Sequence, residues 1–304
     1  MKTKQILLIL FTLSTFAFGA NANSAIFGKD LLTNILGYDQ VESLHLGYLF
    51  TLLQSTYFKP LFLGVLLGVP AVFFIHYMII GPMIFSHDRK KIYVFSVFNR
   101  VIHSIAGVAF ILLIPTGLVI MFGSTFGGGE FVRICKEIHA ISTLLFIVSI
   151  VPMFFMWLRW MIPTSDDIKW MMILGGYLNK RKDPIPAGKF NAGQKMWYWI
   201  ATLGGLVMIL TGVAMYFQDF KIGILLENGI SQIDFLRGSA IVHNILGMAV
   251  LALFLTHVYM SVFAIKGAIH SIVTGYKEEE EVEILHSTFY KELQEKGLIK
   301  EDKK

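Results

Sequence analysis

Charged residues are scarce in this chain. Asp, Glu, Lys and Arg make up 15% of its 304 residues, whereas they make up about a quarter of a typical soluble domain. Cysteine is also nearly absent, because Cys135 is the only one. A single cysteine excludes an internal disulfide and an iron–sulfur cluster held by several thiolates. The formal net charge of +5 does not indicate nucleic acid, because the basic residues cluster in loops beside apolar runs.

Hydrophobic residues make up 55% of the sequence and form five long runs. The runs cover residues 60–85, 101–122, 138–162, 196–217 and 240–265. Each exceeds the roughly 20 residues that a membrane-spanning helix needs. Acidic residues are missing from all five, which argues against a transporter with paired intramembrane carboxylates. We therefore predict an all-α fold, a transmembrane helical bundle in the lipid bilayer.

The N-terminus is predicted to be a secretory signal peptide over residues 1–22, with two lysines, an apolar run and an Ala-Asn-Ala cleavage site. An uncleaved membrane anchor is the alternative. Cleavage would place residues 23–59 in the periplasm of a bacterium, ahead of a first transmembrane helix at 60–85.

Lysine and arginine are distributed unequally over the loops between the runs. The loops at 86–100 and 159–195 carry most of them, and basic loops face the cytoplasm. We therefore predict a multi-pass protein of the bacterial inner membrane, with a periplasmic N-terminus after signal cleavage and a cytoplasmic C-terminus. The charged cytoplasmic tail over residues 277–304 is expected to form a solvated helix.

Two histidines on the fifth run, His243 and His257, lie fourteen residues apart. A helix makes almost four turns over this stretch, so both imidazoles face roughly the same side, ~21 Å apart along the axis. The predicted orientation places His139 at the depth of His243, and His103 at the depth of His257. Neutral imidazole is the commonest metal ligand, so the sequence predicts two bis-histidine haem sites in a transmembrane electron-transfer protein.

Transmembrane histidines also join helices by hydrogen bonds, and a haem-free membrane anchor is the corresponding alternative function. Four histidines at two matched depths favour haem ligation. His76, on the first run, has no evident partner at its depth and is interpreted as a packing or helix–helix hydrogen-bonding residue. Arg133, Arg237 and Arg100 are candidates for pairing with haem propionates or for simple anchoring at the membrane border.

A polar segment, Asn191-Ala192-Gly193-Gln194, precedes the fourth run at the depth of His257. The side-chain amides of Asn191 and Gln194 and the backbone N–H groups near Gly193 could hydrogen-bond a quinone carbonyl. The same residues could equally cap the helix that follows, because Asn is a preferred N-cap residue. The residues alone favour neither interpretation.

Residues 99–276 resemble the cytochrome b (γ) subunit of respiratory formate dehydrogenases. The most specific shared features are the Asn191–Met196 run and the fourteen-residue histidine spacing. The other matching stretches are Asn99–His103, Arg133-Ile134 ahead of His139, Ile162-Pro163, Asp167–Trp170, Thr211–Val213, His257–Met260 and Lys266-Gly267. The first run and the residues before it lie outside the resemblance.

The resemblance implies a four-helix core that binds two b-type haems, to which this chain adds one N-terminal span. It implies that His139 and His243 ligate the periplasmic haem iron, and that His103 and His257 ligate the cytoplasmic one. It also implies menaquinone as the substrate beside the cytoplasmic haem, at Asn191–Gln194.

The implied partners are a molybdenum or tungsten catalytic subunit and an iron–sulfur subunit, which would oxidise formate outside the membrane. This chain would pass their electrons to menaquinone and contribute to the proton motive force, with no formate-oxidising site of its own. The alternative is a cytochrome b subunit of a nickel–iron hydrogenase or of a thiosulfate or polysulfide reductase, because this sequence does not contain the catalytic partner.

Overall fold

The computed structural model describes residue 44 and residues 46–179, 181–219 and 221–299. The predicted signal peptide and most of residues 23–59 lie outside this part of the chain. Within it, five helices are long and apolar enough to cross a membrane, which confirms the predicted all-α transmembrane bundle. We call them the first to the fifth span: Leu46–Ile79, Val97–Met121, Gly129–Met161, Ala192–Tyr216 and Gln232–Ala264.

Three of the five spans contain one π-helical turn. The first span combines α1 (Leu46–Leu52), a π turn (Leu53–Tyr57) and α2 (Phe58–Ile79), while α3 (Val97–Met121) and α4 (Gly129–Met161) are the second and third. After α5 (Ser165–Met172) and a 3-10 turn (Leu174–Gly176), the fourth combines α6 (Ala192–Trp199), a π turn (Ile200–Gly204) and α7 (Gly205–Tyr216). The fifth follows α8 (Gly223–Glu227) and combines α9 (Gln232–Tyr259) with a π turn (Met260–Ala264).

Short elements complete the described chain before the second span and after the fifth. Strand β1 (Lys91–Tyr93) pairs antiparallel with β2 (Tyr276–Glu278). The helices after the fifth span are α10 (His270–Thr274), α11 (Glu279–Leu285) and α12 (Ser287–Glu295).

The first span begins earlier than the sequence predicts. Lys59 suggests a boundary, yet the helical span starts at Leu46 and ends at Ile79. The lysine is accommodated because its Nζ donates a hydrogen bond to Ser124 Oγ at 2.6 Å. The helix therefore continues through residues 46–59, while the assignment of these residues to a periplasmic segment stays a prediction.

The described residues divide into two compact units, each of which contains part of every span. One unit holds the described residues up to Phe62, Ala106–Val148 and Val207–Ile245, and the other holds Leu63–Ile105, Ser149–Leu206 and the described residues from Leu246 onward. In the first unit, the Phe110 and Phe146 rings pack with centroids 5.1 Å apart. A buried core of the second unit comprises Phe85, Trp170, Ile185, Ala187, Ala192, Ile265, Ile284 and Leu285.

The first helix of the C-terminal tail is packed rather than solvated, so the prediction of a solvated helix is wrong for α11, whereas in α12 only Tyr290 is buried. Val282, Leu285 and His286 are 0%, 2% and 3% exposed. The acidic run, Glu279–Glu281, occupies the first turn of α11, where carboxylates interact favourably with the helix dipole. The charge run therefore marks a helix start whose following residues pack into the protein.

Candidate functional site

The structure brings the four candidate histidines together as two pairs, each within one compact unit. The rings of His139 and His243 have centroids 6.4 Å apart and planes at 57°. The rings of His103 and His257 have centroids 6.0 Å apart and planes at 51°. These are the pairs that depth along the spans predicts, while their role as metal ligands stays a prediction.

The spacing of both pairs suits an iron held between two imidazoles. A metal–nitrogen bond of ~2.0 Å, and about 1.1 Å from that nitrogen to the ring centre, would separate the two ring centres by about 6.2 Å. Within the described residues, no group of three or more His, Cys, Asp or Glu side chains could hold a metal ion. Each pair offers two axial ligands, which fits a haem, whose macrocycle supplies the remaining ligands.

Two threonines orient the rings of the first pair, of which Thr211 lies in a stretch that carries the family resemblance and Thr116 does not. Thr116 Oγ1 lies 3.0 Å from His139 Nδ1, and Thr211 Oγ1 lies 3.0 Å from His243 Nδ1. Each hydroxyl donates its hydrogen to a backbone carbonyl one turn earlier, at 2.6 and 2.9 Å. The hydroxyl oxygen must then accept from Nδ1–H, which leaves Nε2 of both histidines unprotonated, as an iron ligand must be.

A glycine follows each of these threonines and lies against the same imidazole. A Cβ on Gly117 would come 3.2 Å from His139 Cε1, and a Cβ on Gly212 would come 3.4 Å from His243 Cε1. A side chain at position 117 would press on the His139 ring, whereas a Cβ at position 212 would be in ordinary van der Waals contact with the His243 ring. The Thr-Gly pair, which occurs on the second and the fourth span, is the sequence signal that identifies these positions.

The second pair lies beside the helix that begins the fourth span. Trp197 stacks on His257, with ring centroids 5.6 Å apart and planes at 21°. Trp197 belongs to α6, whose N-cap is Asn191. The helix that carries the candidate quinone-binding residues therefore contacts a candidate ligand histidine directly.

Asn191 and Gln194 cap α6, in agreement with one of the two interpretations of the polar segment. Asn191 Oδ1 accepts from the Gln194 backbone N–H at 3.0 Å, and Gln194 Oε1 accepts from the Asn191 backbone N–H at 3.0 Å. This capping box uses the side-chain oxygens. The two amide NH2 groups are the donors that a quinone carbonyl needs, so capping and quinone binding are compatible.

Two lysines flank the polar segment. Lys195 Nζ donates to Asp167 Oδ2 at 2.8 Å and is nearly buried. Lys189 lies over the Trp160 ring, with Nζ 4.6 Å from the ring centroid. Burial, followed by the positive charge of Arg159, lowers the pKa of Lys189. Its ammonium therefore releases a proton more readily than an exposed lysine does.

His76 is a helix–helix hydrogen-bonding residue, as predicted. Its Nε2 lies 2.7 Å from the Tyr177 carbonyl oxygen and must donate, because a carbonyl only accepts. Its Nδ1, 2.6 Å from Tyr259 Oη, then accepts the phenolic hydrogen. Both ring nitrogens are occupied, so His76 is not a candidate metal ligand.

The three candidate arginines differ in their surroundings. Arg237 is 2% exposed, whereas Arg133 is exposed. Arg100 Nη1 donates to the Val273 carbonyl oxygen at 2.5 Å, and its Nε is buried with no hydrogen-bond partner among the described residues. A buried donor of this kind suits a carboxylate, so Arg100 stays a candidate for pairing with a haem propionate.

Comparison with known proteins gives one family and several relatives. A family model described as prokaryotic cytochrome b561 matches residues 94–275. The nitrate-inducible formate dehydrogenase cytochrome b556(Fdn) subunit of Escherichia coli (strain K12) is 26% identical over 216 residues, which cover 67% of this chain and 92% of the relative. The formate dehydrogenase cytochrome b556 subunit of Haemophilus influenzae is 25% identical over 197 residues, which cover 64% and 79%. Both histidine pairs and the polar segment lie inside residues 94–275.

Proposed function

Because this chain belongs to the prokaryotic cytochrome b561 family, we propose that it is the membrane subunit that carries electrons from a formate dehydrogenase to menaquinone. Membership of the family makes it a multi-pass bacterial membrane protein with b-type haem. The choice of formate rests on the relatives, which match about two thirds of the chain and are named as formate dehydrogenase subunits.

The observation that carries the proposal is the pair of histidine sites at the spacing of two axial ligands, 6.4 and 6.0 Å between ring centroids. His139 and His243 would hold one haem through Nε2, with a threonine hydroxyl behind each ring. His103 and His257 would hold the other. When bound, the two haems supply one-electron transfer, while the protein supplies axial ligands, apolar surroundings and a place for the quinone.

We place the His139–His243 site towards the periplasm and the His103–His257 site towards the cytoplasm. The support is the concentration of lysine and arginine in the loops at 86–100 and 159–195. Moving one charge against a membrane potential of 100 mV costs about 2.3 kcal/mol, so inward electron flow needs a strongly reducing donor such as formate.

Menaquinone is proposed to bind beside His257, at Asn191, Gly193 and Gln194. Trp197 supports this placement, because it stacks on His257 from the helix that Asn191 caps. The amides of Asn191 and Gln194 would donate to a quinone carbonyl. Lys189, whose pKa burial lowers, is a candidate source of cytoplasmic protons for quinone reduction. Electrons that move inward to meet cytoplasmic protons contribute to the proton motive force.

The proposed partners are a molybdenum or tungsten catalytic subunit and an iron–sulfur subunit on the periplasmic side. Formate oxidation is assigned to the catalytic subunit, and delivery of electrons to the His139–His243 site is assigned to the iron–sulfur subunit. The present chain is proposed to bind haem and quinone, and not formate.

The proposal is tested by identifying the substrate that supplies electrons to the haem. The chain is purified with its native partners under anaerobic conditions, and formate and hydrogen are compared as reductants by the b-type haem spectrum, while thiosulfate is tested as an oxidant of prereduced haem. The proposal predicts rapid haem reduction by formate, no haem reduction by hydrogen and no haem oxidation by thiosulfate. Haem reduction by hydrogen and not by formate, or haem oxidation by thiosulfate, would contradict it and assign the chain to a hydrogenase or a thiosulfate reductase.

A further inference from the structure

The C-terminal tail binds the segment 185–188, which ends three residues before Asn191. Three backbone hydrogen bonds join them: Ile185 N to Ile284 O at 2.7 Å, Ser287 N to Ile185 O at 3.1 Å and Phe289 N to Ala187 O at 3.2 Å. A loop whose backbone groups are satisfied by a folded neighbour keeps one conformation, because each lost bond leaves a polar group unpaired.

His286 makes a fourth contact with this segment. Its Nδ1–H donates to the Gly188 carbonyl oxygen at 2.8 Å, since a carbonyl only accepts. The side chain is 3% exposed. Burial, and then the charge of Lys277, lowers the pKa of His286 to about 3. The imidazole is therefore neutral at physiological pH and acts through its hydrogen bond rather than through charge.

Apolar packing joins the tail to the start of the fourth span as well. Ile284 and Leu285 are buried in one core with Trp170 and Ala192, the first residue of α6. Trp170 also limits the next residue, because a Cβ on Gly193 would come 3.0 Å from its ring. The tail thus contacts the residues that precede the polar segment through hydrogen bonds, and contacts Ala192 within the polar segment through the apolar core.

The loop before the second span also contacts the tail. His87 and Lys91 lie 2.9 and 3.1 Å from Glu278 Oε1, and β1 pairs with β2. Lys182 bonds Glu280 at 2.7 Å. The tail from Tyr276 onward and β1 lie outside residues 94–275, so they are additions to the part of the chain that matches the family.

We propose that His286 is a positioning residue for quinone binding: through it, the folded tail holds Asn191 and Gly193 in the geometry that binds the quinone. The inference rests on the proposed quinone site. His286 touches neither quinone nor haem, so its removal should change quinone affinity and leave the haems in place.

The test uses the purified complex in four forms: wild type, H286A, H286N and K291A. Asn at position 286 can place its amide Nδ2 where Nδ1 donates, and Lys291 is an exposed residue of α12 that serves as the matched control. The measurements are haem content, formate oxidation with an artificial dye, KM and kcat for menadione, and the dissociation constant of a hydroxyquinoline N-oxide quinone analogue from its effect on the haem spectrum.

H286A should raise the analogue dissociation constant and the menadione KM by about 10-fold, with haem content and dye-linked oxidation unchanged. H286N should restore both values to within about twofold of wild type, and K291A should match wild type. Unchanged binding in H286A, or equal loss in H286A and H286N, would overturn the role of the hydrogen bond.

Two further outcomes separate this inference from the proposed function. If the wild-type complex binds neither analogue nor menadione, the quinone site itself is contradicted. If H286A loses haem, S287A decides instead, because it removes only the side-chain hydrogen bond from Ser287 Oγ to the Ile185 carbonyl oxygen at 2.8 Å. Weaker analogue binding in S287A supports positioning by the tail, and unchanged binding overturns it.

Discussion

Thr116 and Thr211 give the His139–His243 site a property that the sequence spacing alone does not reveal. Their hydroxyls accept from Nδ1–H of the two imidazoles, each at 3.0 Å. Such a bond fixes the tautomer and makes the ligating nitrogen more electron-donating. Under the proposed haem ligation, a more electron-donating ligand would stabilise ferric iron, so these threonines would hold the potential of the haem at this site low.

Replacing Thr116 or Thr211 with valine should therefore raise the midpoint potential of one haem and weaken its binding by about 10- to 100-fold. Serine at either position keeps the hydroxyl and should behave like wild type. The measurements are haem content and a potentiometric titration of the purified chain. Identical titrations for valine and serine variants would show that the hydroxyls do not act on the haem.

Asn191 allows capping and quinone binding to be separated by substitution. Asp and Ser keep an oxygen that caps α6 but lack the amide NH2. N191D and N191S should therefore keep both haems and a stable fold, yet weaken binding of a quinone analogue by about 10-fold, the loss of one hydrogen bond. Wild-type quinone kinetics in both variants would restrict Asn191 to capping.

His76 attaches its part of the first span to the rest of the second unit. It is hydrogen-bonded to the Tyr259 side chain in α9 and to the backbone carbonyl of Tyr177. Phe73 reinforces this attachment, because its ring stacks on Tyr259 with centroids 4.3 Å apart. The first span lies outside the residues that match the family, and it is attached to α9 at Tyr259, two residues after His257.

Y259F should lower the midpoint of thermal unfolding in detergent by about 2–4 °C, on the order of 1 kcal/mol for one hydrogen bond. H76A should lower it by about twice as much, because it also removes the bond to the Tyr177 carbonyl oxygen. The double variant should lose little more than H76A alone, because both changes remove the bond between His76 and Tyr259. Y77F, at an exposed position on the same span, is the control. Fully additive losses would mean that the two side chains act independently.

The spans and the histidine pairs could be predicted from the sequence because their signals are local. Apolar runs indicate the helices. The fixed rise per residue then gives the depth of His243 and His257, and His139 and His103 lie at the matching depths. The start of the first helix at Leu46 could not be predicted, because the hydrogen bond that Lys59 makes to Ser124 is distant in sequence.

The tail and the threonines could not be predicted from the sequence for a similar reason. The acidic run of α11 resembles a solvated helix unless its apolar partners, Ile185 and Ala187, are known to lie beside it. Thr116 and Thr211 resemble ordinary membrane-helix residues until the fold places His139 and His243 against them. In both cases the missing information is a long-range contact.

Considered as one protein, the chain combines a cytochrome b core with additions at both ends. The core supplies two histidine pairs and a capped polar segment. The additions are a first span held by His76 and a tail held by His286. We interpret the core as the electron path and the additions as supports for its quinone end.

The central claim, that two haems are held by two histidine pairs, is tested most directly by counting haems. Wild type, H257A and H243A are purified, and haem content and dithionite-reduced spectra are measured. The account predicts two b haems per wild-type chain and one in each variant, with different spectra because different haems are lost. Two haems retained in either variant, or no haem in a folded wild-type chain, would contradict it.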